Sequence, residues 1–305
     1  MPTMQTTYTY ESALAASEQV AWTVDDVIGG RQLDFALPFL PESLARTADL
    51  TTLFARERLL LNQIRGHDYL CMFGIVEEFI LPFVLDHVRP HLEGDDQRVR
   101  AFLTFASEEA KHIELFKRFR SAFRAGFPVA CGVIGPADEI GRAVLAHDPL
   151  AVALAILHIE WMTQRHFVES VRDTLGLDPL FVRLLRHHWM EEAQHAKLDT
   201  LMVAALAEGR DEAALERAVD EYLAIGGFLD AGLHAQAGLD VDALEAASGR
   251  RLAAPEREAV VAQQHQALRW TFLGSGMTHP EFRETLRRLG PTALERVDAA
   301  AAAFV

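Results

Sequence analysis

The sequence predicts an all-α protein built around a four-helix bundle, and three observations favour this class. Half of the 305 residues are hydrophobic, and they include many alanines and leucines, which are strong helix formers. Apolar residues recur at helical spacing along stretches that end at glycine or just before proline. Two of these stretches carry Glu-Glu-x-x-His, and each follows a further buried-looking glutamate by 31 or 32 residues.

We expect three regions in one domain. Residues 1–46 form an N-terminal arm packed on the core, because Gly29-Gly30 and the prolines after it interrupt any long helix. Residues 47–209 form the bundle. Residues 210–305 form a C-terminal helical extension of short pieces, predicted at about 211–225, 228–237, 241–249, 255–273 and 279–289.

Helix starts and stops define four long bundle helices. Aspartates with helix-capping preference precede the second and fourth, prolines suit the first turn of the third and fourth, and glycines follow their ends. Pro82 lies inside the first and should kink or end it. The predicted helices span about 49–87, 95–126, 149–175 and 179–209.

The overall charge excludes several classes of partner. The formal net charge is −15, whereas nucleic acids and anionic membranes are bound through basic patches.

The two cysteines form no CxxC motif or disulfide framework. We see no signal peptide, and the most apolar run, 149–157, is too short to span a bilayer. These features predict a cytoplasmic protein with neither nucleic-acid nor membrane partners.

The segment His187–His195 carries the most informative motif. In a helix, His188, Glu192 and His195 share one face, because they are spaced by four and three residues. Mixed histidine and carboxylate sets with open positions suit iron. A second Glu-Glu-x-x-His places Glu109 and His112 together on another helix in the same way.

Two such motifs require one more glutamate from each of two further helices. Glu160 lies 32 residues before Glu192 and supplies one of them. The other is Glu78 or Glu77, and the choice is close. We favour Glu78, because Gly74 one turn away leaves room for a metal or a substrate, and we keep Glu77 in reserve.

The complete predicted site holds two iron ions per chain, with a manganese–iron pair not excluded, and uses dioxygen as co-substrate. Its predicted metal ligands are Glu78, Glu109, His112, Glu160, His188, Glu192 and His195. Glu108 and Glu191, which precede two ligand glutamates, are predicted to accept the spare N–H of ligand histidines. A mostly apolar substrate pocket is predicted one turn from the ligands, at Gly74, Phe105, Phe116, Ile156, Thr163 and Phe167.

These motifs resemble those of the ferritin-like di-iron carboxylate superfamily. The longer motif His188-x-x-x-Glu192-x-x-His195 is similar to that of the arylamine N-oxygenases, typified by p-aminobenzoate N-oxygenase. The resemblance covers about residues 50–205 and implies a ferritin-like bundle whose third histidine, His188, joins the di-iron centre. It also implies a monooxygenase that uses dioxygen to oxidise an amine nitrogen.

Several functions and partners therefore follow as expectations. The first is a di-iron oxygenase for a small, largely apolar substrate, with oxidation of an amine at nitrogen as the favoured reaction. The alternatives are a hydroxylase or oxidase acting on carbon or a fatty chain, and a ferritin-like protein that oxidises or binds iron. We also expect an external electron donor of the reductase or ferredoxin type, and a homodimer.

Overall fold

The computed structural model describes residues 8–305, and these residues contain helices but no strands, which confirms the predicted all-α class. A 3₁₀ turn covers Arg89–His91, and π-helical turns cover His166–Val171 and Trp270–Gly274. The α-helices in this part of the chain are α1 Tyr10–Val20, α2 Val24–Val27, α3 Glu42–Ala45, α4 Ala55–Val88, α5 Asp96–Gly126, α6 Ala137–Leu145, α7 Pro149–Arg165, α8 Pro179–Ala207, α9 Glu212–Ser248, α10 Ala254–Arg269, α11 Ser275–Met277, α12 Pro280–Leu289 and α13 Pro291–Ala301.

Helices α4, α5, α7 and α8 form the bundle, in which α4 packs against α5 and α7 against α8. Three of these helices begin at an aspartate whose side chain accepts backbone N–H groups of the first turn: Asp95, Asp148 and Asp178. Such caps satisfy donors that a helix leaves free. Pro82 does not end α4, which continues for six more residues to Val88.

The C-terminal region differs from its prediction most clearly over 211–249, and it also contains α13, which was not predicted. The three pieces predicted over 211–249 are a single helix, α9, of 37 residues. Gly226-Gly227 and Gly238 lie between the predicted pieces, but glycine in a helix costs only about 1 kcal/mol relative to alanine. Gly226 is buried, and a side chain there would approach Met277 of α11. Tertiary packing therefore outweighs the local preference.

The described part of the N-terminal arm lies on the bundle. Helix α1 packs against α5 and α8, and Phe39 is completely buried. Asn62 of α4 holds the segment that contains Phe39 and Leu40. Its side chain accepts the backbone N–H groups of these two residues at 2.8 and 3.0 Å, and it donates to the carbonyl of Leu40 at 2.7 Å. None of the described helices has the length and apolar character needed to cross a membrane.

Candidate metal centre

Four helices bring glutamates and histidines together in the middle of the bundle. Each residue of this group is at most 3% exposed, and the group comprises Glu77 of α4, Glu109 and His112 of α5, Glu160 of α7, and His188, Glu192 and His195 of α8. Two subsets each offer four ligand atoms within 4.8 Å of one another: Glu77, His112, His188 and Glu192, and Glu109, His112, Glu192 and His195. The residue types and their distribution over four helices match the pattern of a ferritin-like dinuclear bundle.

The preference for Glu78 is corrected by this geometry. Glu78 is exposed, whereas Glu77 is 2% exposed and its Oε1 lies 3.2 Å from His188 Nε2. The reason given for Glu78 also fails, because Gly74 faces the guanidinium of Arg120, which a β-carbon there would approach to 3.4 Å. The space beside Gly74 is therefore filled by an arginine of α5. The other six predicted ligand residues all lie in the cluster, and their role as ligands stays a prediction.

His112 is oriented by a carboxylate on the facing helix. Its Nε2 donates to Glu191 Oε2 at 2.8 Å, and Glu191 also contacts the ammonium group of Lys111. With the proton on Nε2, the lone pair of Nδ1 points towards the interior, where Glu192 Oε1 is 3.3 Å away. Burial acts to raise the pKa of Glu191, but the hydrogen bonds from His112 and Lys111 have the larger effect. The pKa of Glu191 is therefore lowered, and this carboxylate is ionised.

His195 is held in the same way from the opposite direction. Its Nε2 donates to Glu108 Oε2 at 2.8 Å, and the hydroxyl of Ser17 in α1 contacts the same oxygen at 3.4 Å. The Nδ1 of His195 points inwards, at 2.7 Å from Glu192 Oε2. Helix α5 thus orients a histidine of α8, and α8 orients a histidine of α5.

His188 reaches the cluster with the other ring nitrogen. Its Nε2 contacts Glu192 Oε1 directly, which brings a third imidazole to the centre. Two aromatic rings pack edge-on against it, Phe73 at 5.1 Å and Phe116 at 5.0 Å between ring centroids. These phenylalanines keep water away from this side of the cluster and fix the imidazole plane.

The buried carboxylates of the cluster repel one another, and this repulsion perturbs their pKa values. Burial, followed by repulsion from neighbouring glutamates, raises the pKa of Glu77 and of Glu160 well above the usual value. Burial also acts to raise the pKa of Glu192, but His188 and His195 reverse this and hold it well below the usual value. His195 shows the opposite balance, since attraction to Glu192 overcomes burial and raises its pKa. Protons on buried groups thus offset the crowded negative charge.

The donor set fits two divalent metal ions. Several buried atoms that face the interior have no hydrogen-bond partner: Glu77 Oε2, both oxygens of Glu109, His112 Nδ1 and Glu160 Oε2. Glu109 Oε1 lies 2.8 Å from His195 Nδ1 but is misaligned for a hydrogen bond. Buried polar atoms are nearly always paired, and four carboxylates balance the charge of two divalent cations. Metal binding would satisfy both requirements.

The six residues predicted to line a substrate pocket are packed against other side chains or buried in the core. Gly74 faces Arg120, the ring of Phe105 lies 4.2 Å from the His195 ring, and Phe116 packs on His188. The remaining three, Ile156, Thr163 and Phe167, are buried in the packed core. Phe105 and Phe116 therefore pack against histidines of the cluster.

An apolar cavity lies instead on another face of α4 and α7. Its lining includes Val76 and Ile159, which directly precede Glu77 and Glu160. Phe73 separates it from His188. Its outer wall includes Leu233 of α9, which no motif near the ligands could have indicated.

Two further residues near the centre were not predicted. The indole ring of Trp22 lies nearly parallel to His112, with 5.8 Å between the centroids, and covers it from the N-terminal arm. The ammonium group of Lys111 lies 4.0 Å from the centre of the indole ring. The position of Lys111, next to His112 in the second motif, was the available sequence signal. The contact of Trp22 depends on long-range packing.

Comparison with known proteins gives a distant structural similarity. No family model matches the chain, and no curated protein matches it. One similar solved structure is an R2-like ligand-binding oxidase with an aerobically reconstituted Mn/Fe cofactor, at 15% identity and a TM-score of 0.43, covering 87% of this chain and 93% of the other. A mutant of such an oxidase with an Fe/Fe cofactor gives 16% identity and a TM-score of 0.43, covering 86% and 92%.

Proposed function

We propose that this protein is a non-haem di-iron oxygenase that uses dioxygen to oxidise a small, largely apolar substrate. The observation that carries this proposal is the buried cluster of four carboxylates and three imidazoles, in which several inward-facing atoms lack partners. Two neighbouring redox metals supply two electrons to dioxygen together when bound. Glutamate and histidine ligands of this kind suit iron, and a manganese–iron pair uses the same donors.

The protein side chains have defined roles in this proposal. Glu77, Glu109, Glu160 and Glu192 hold and neutralise the metals, and His112, His188 and His195 complete the ligand set. Glu191 and Glu108 keep the protons of His112 and His195 on the outer ring nitrogens, so that the inner nitrogens are free to bind. Phe73, Phe105 and Phe116 exclude water around the ligand histidines.

We further propose that the substrate is an amine oxidised at nitrogen, because the third histidine, His188, is the feature that resembles the arylamine N-oxygenases. In the first step, one oxygen atom would join nitrogen to give a hydroxylamine, and the other would leave as water. The balance requires two electrons and two protons from outside. We assign the electrons to a separate reductase or ferredoxin-type protein, and we propose a homodimer, which size-exclusion chromatography with light scattering would test.

Oxidation at carbon is the second candidate, and the apolar cavity beside Val76 and Ile159 favours it. A hydrocarbon chain in this cavity would present carbon rather than nitrogen to the centre. Mass spectrometry of products formed under ¹⁸O₂ would separate the two candidates. A hydroxylamine or nitro product supports oxidation at nitrogen, and an alcohol supports oxidation at carbon.

The first experiment is metal content per chain, followed by absorbance of the anaerobically reduced protein after a pulse of dioxygen. We expect two metals per chain and a transient visible band. Glu192→Ala should abolish iron loading, because Glu192 contacts both His188 and His195. Glu78→Ala is the matched control and should load normally, because Glu78 is exposed on the same bundle. No metal, or one metal per chain, in the unmodified protein would refute the dinuclear centre.

A further inference from the structure

The apolar cavity beside the metal centre has no polar side chain in its wall. All of its twelve lining side chains are hydrocarbons or thioethers. Its inner end is formed by Val76, Ile159 and Met162, and two of these directly precede the candidate ligands Glu77 and Glu160. The cavity therefore abuts the two helices that each bring a single glutamate to the centre.

The outer end of the cavity is formed by parts of the chain outside the bundle. Leu229 and Leu233 of α9 and Ile134 of the loop before α6 close it, and Leu229 and Ile134 are only half-buried. A molecule would enter at this partly exposed end.

The wall at this entrance is held in a fixed position. Gln236 of α9 is buried, and its side chain accepts the backbone N–H of Ile134 at 2.9 Å and donates to the carbonyl of Gly132 at 3.1 Å. The same amide nitrogen donates to Asp240 at 2.8 Å. A fully buried glutamine that spans two loop residues fixes the loop, so the cavity has a defined shape.

An aromatic side chain completes the wall from the C-terminal region. Phe272 lies in the π-helical turn Trp270–Gly274, and its ring packs near Tyr69 and Phe73 of α4, at 5.8 and 6.2 Å between centroids. π-Helical turns occur frequently at functional sites. Here the turn places an aromatic ring beside the phenylalanine that separates the cavity from His188.

We propose that this cavity is the substrate site and that it selects uncharged, mainly hydrocarbon molecules. The inference rests on the proposed oxygenase function. A carboxylate or an ammonium group placed here would lose its hydration without gaining a partner, which is strongly unfavourable. The site therefore rejects benzoates such as p-aminobenzoate and protonated alkylamines. An aromatic amine, whose lone pair is delocalised into the ring, is neutral at pH 7. Such an amine places no charge in the apolar cavity.

Direct binding measurements on the metal-loaded and the metal-free protein test this inference. The probes are 4-butylaniline, which is neutral, 4-aminobenzoate, which is anionic, and 2-phenylethylamine, which is cationic. We expect 4-butylaniline to bind at least about tenfold more tightly than either charged probe, because of their unpaired charge. Equal binding of 4-aminobenzoate, or no binding of 4-butylaniline, would overturn the inference.

Cavity-filling variants locate the bound probe. Leu233→Trp should weaken the binding of 4-butylaniline at least about tenfold, because it fills space that the probe needs. Leu229→Trp at the partly exposed entrance should also weaken the binding of 4-butylaniline. This variant replaces Leu233→Trp in the test if Leu233→Trp does not fold. Phe228→Trp is the matched control, since Phe228 is 45% exposed on the same helix and does not line the cavity. Unchanged binding in both leucine variants refutes this location.

Metal analysis separates failure of this inference from failure of the proposed function. If the protein holds two metals and reacts with dioxygen but prefers 4-aminobenzoate, the oxygenase proposal stands and the cavity assignment is wrong. If the protein binds 4-butylaniline in the cavity but takes up no metal, the apolar site stands and the oxygenase proposal is wrong.

Discussion

Replacement of Glu191 by glutamine tests how the candidate metal centre is oriented. Glu191 is completely buried, and its carboxylate holds both the Nε2 proton of His112 at 2.8 Å and the Lys111 ammonium group. Hydrogen bonds to charged groups each contribute about 1.5–3 kcal/mol. The amide of Glu191→Gln keeps the shape and one acceptor but removes the charge, so the basicity of His112 falls and Lys111 loses its counter-ion.

Removal of such an outer partner typically weakens metal binding about 10–100-fold, which corresponds to about 1.4–2.8 kcal/mol. The assay is competition with a chelator under anaerobic conditions, with circular dichroism as a check of folding. Glu114→Gln is the control, because Glu114 is an exposed residue of α5 paired with Arg118 at 3.6 Å. The reasoning is refuted if Glu191→Gln folds normally and binds metal as tightly as the Glu114→Gln control.

Two further predictions concern single histidines. His188→Ala should leave metal bound, because the other two imidazoles and the carboxylates remain, but should alter the absorbance transient after a dioxygen pulse; an unchanged transient would remove the basis for kinship with the N-oxygenases. Burial lowers the pKa of His166 to about 3. The unfolded chain therefore binds more protons between pH 6.5 and 3, and stability falls as pH is lowered through this window. Over two pH units the loss from this group is about 2–3 kcal/mol. His166→Gln should reduce the difference between urea midpoints at pH 6.5 and 4.5, and an undiminished difference would contradict this cause.

The sequence predicted the bundle and most of the cluster because both depend on local periodicity. Spacings of three and four residues place side chains on one helix face, which is how Glu109 was grouped with His112, and Glu192 with His195. The same logic could not separate Glu77 from Glu78. Helix α4 is buried over most of its circumference, so apolar neighbours flank both glutamates. Only its packing against the other helices shows that Glu78 faces solvent.

The apolar cavity could not be predicted from the sequence, for a different reason. Neighbours of the candidate ligands on their own helices were expected to line a pocket, but Phe105 and Phe116 instead pack directly on candidate ligand histidines. The cavity wall comes from elements far apart in the chain, such as Ile134 and Leu233. The continuity of α9, which brings Leu233 into place, depends on contacts that override its glycines. Periodicity in one segment carries no information about such contacts.

The crossed arrangement of Glu108 with His195 and of Glu191 with His112 couples the two halves of the centre mechanically. Because α5 and α8 each hold the other's histidine, a slide of one helix along the other would disturb both imidazoles at once. Release of one metal ion should therefore weaken the binding of the other, and the two ions should dissociate in one cooperative step. Two well-separated steps in a chelator titration would show that the helices act independently.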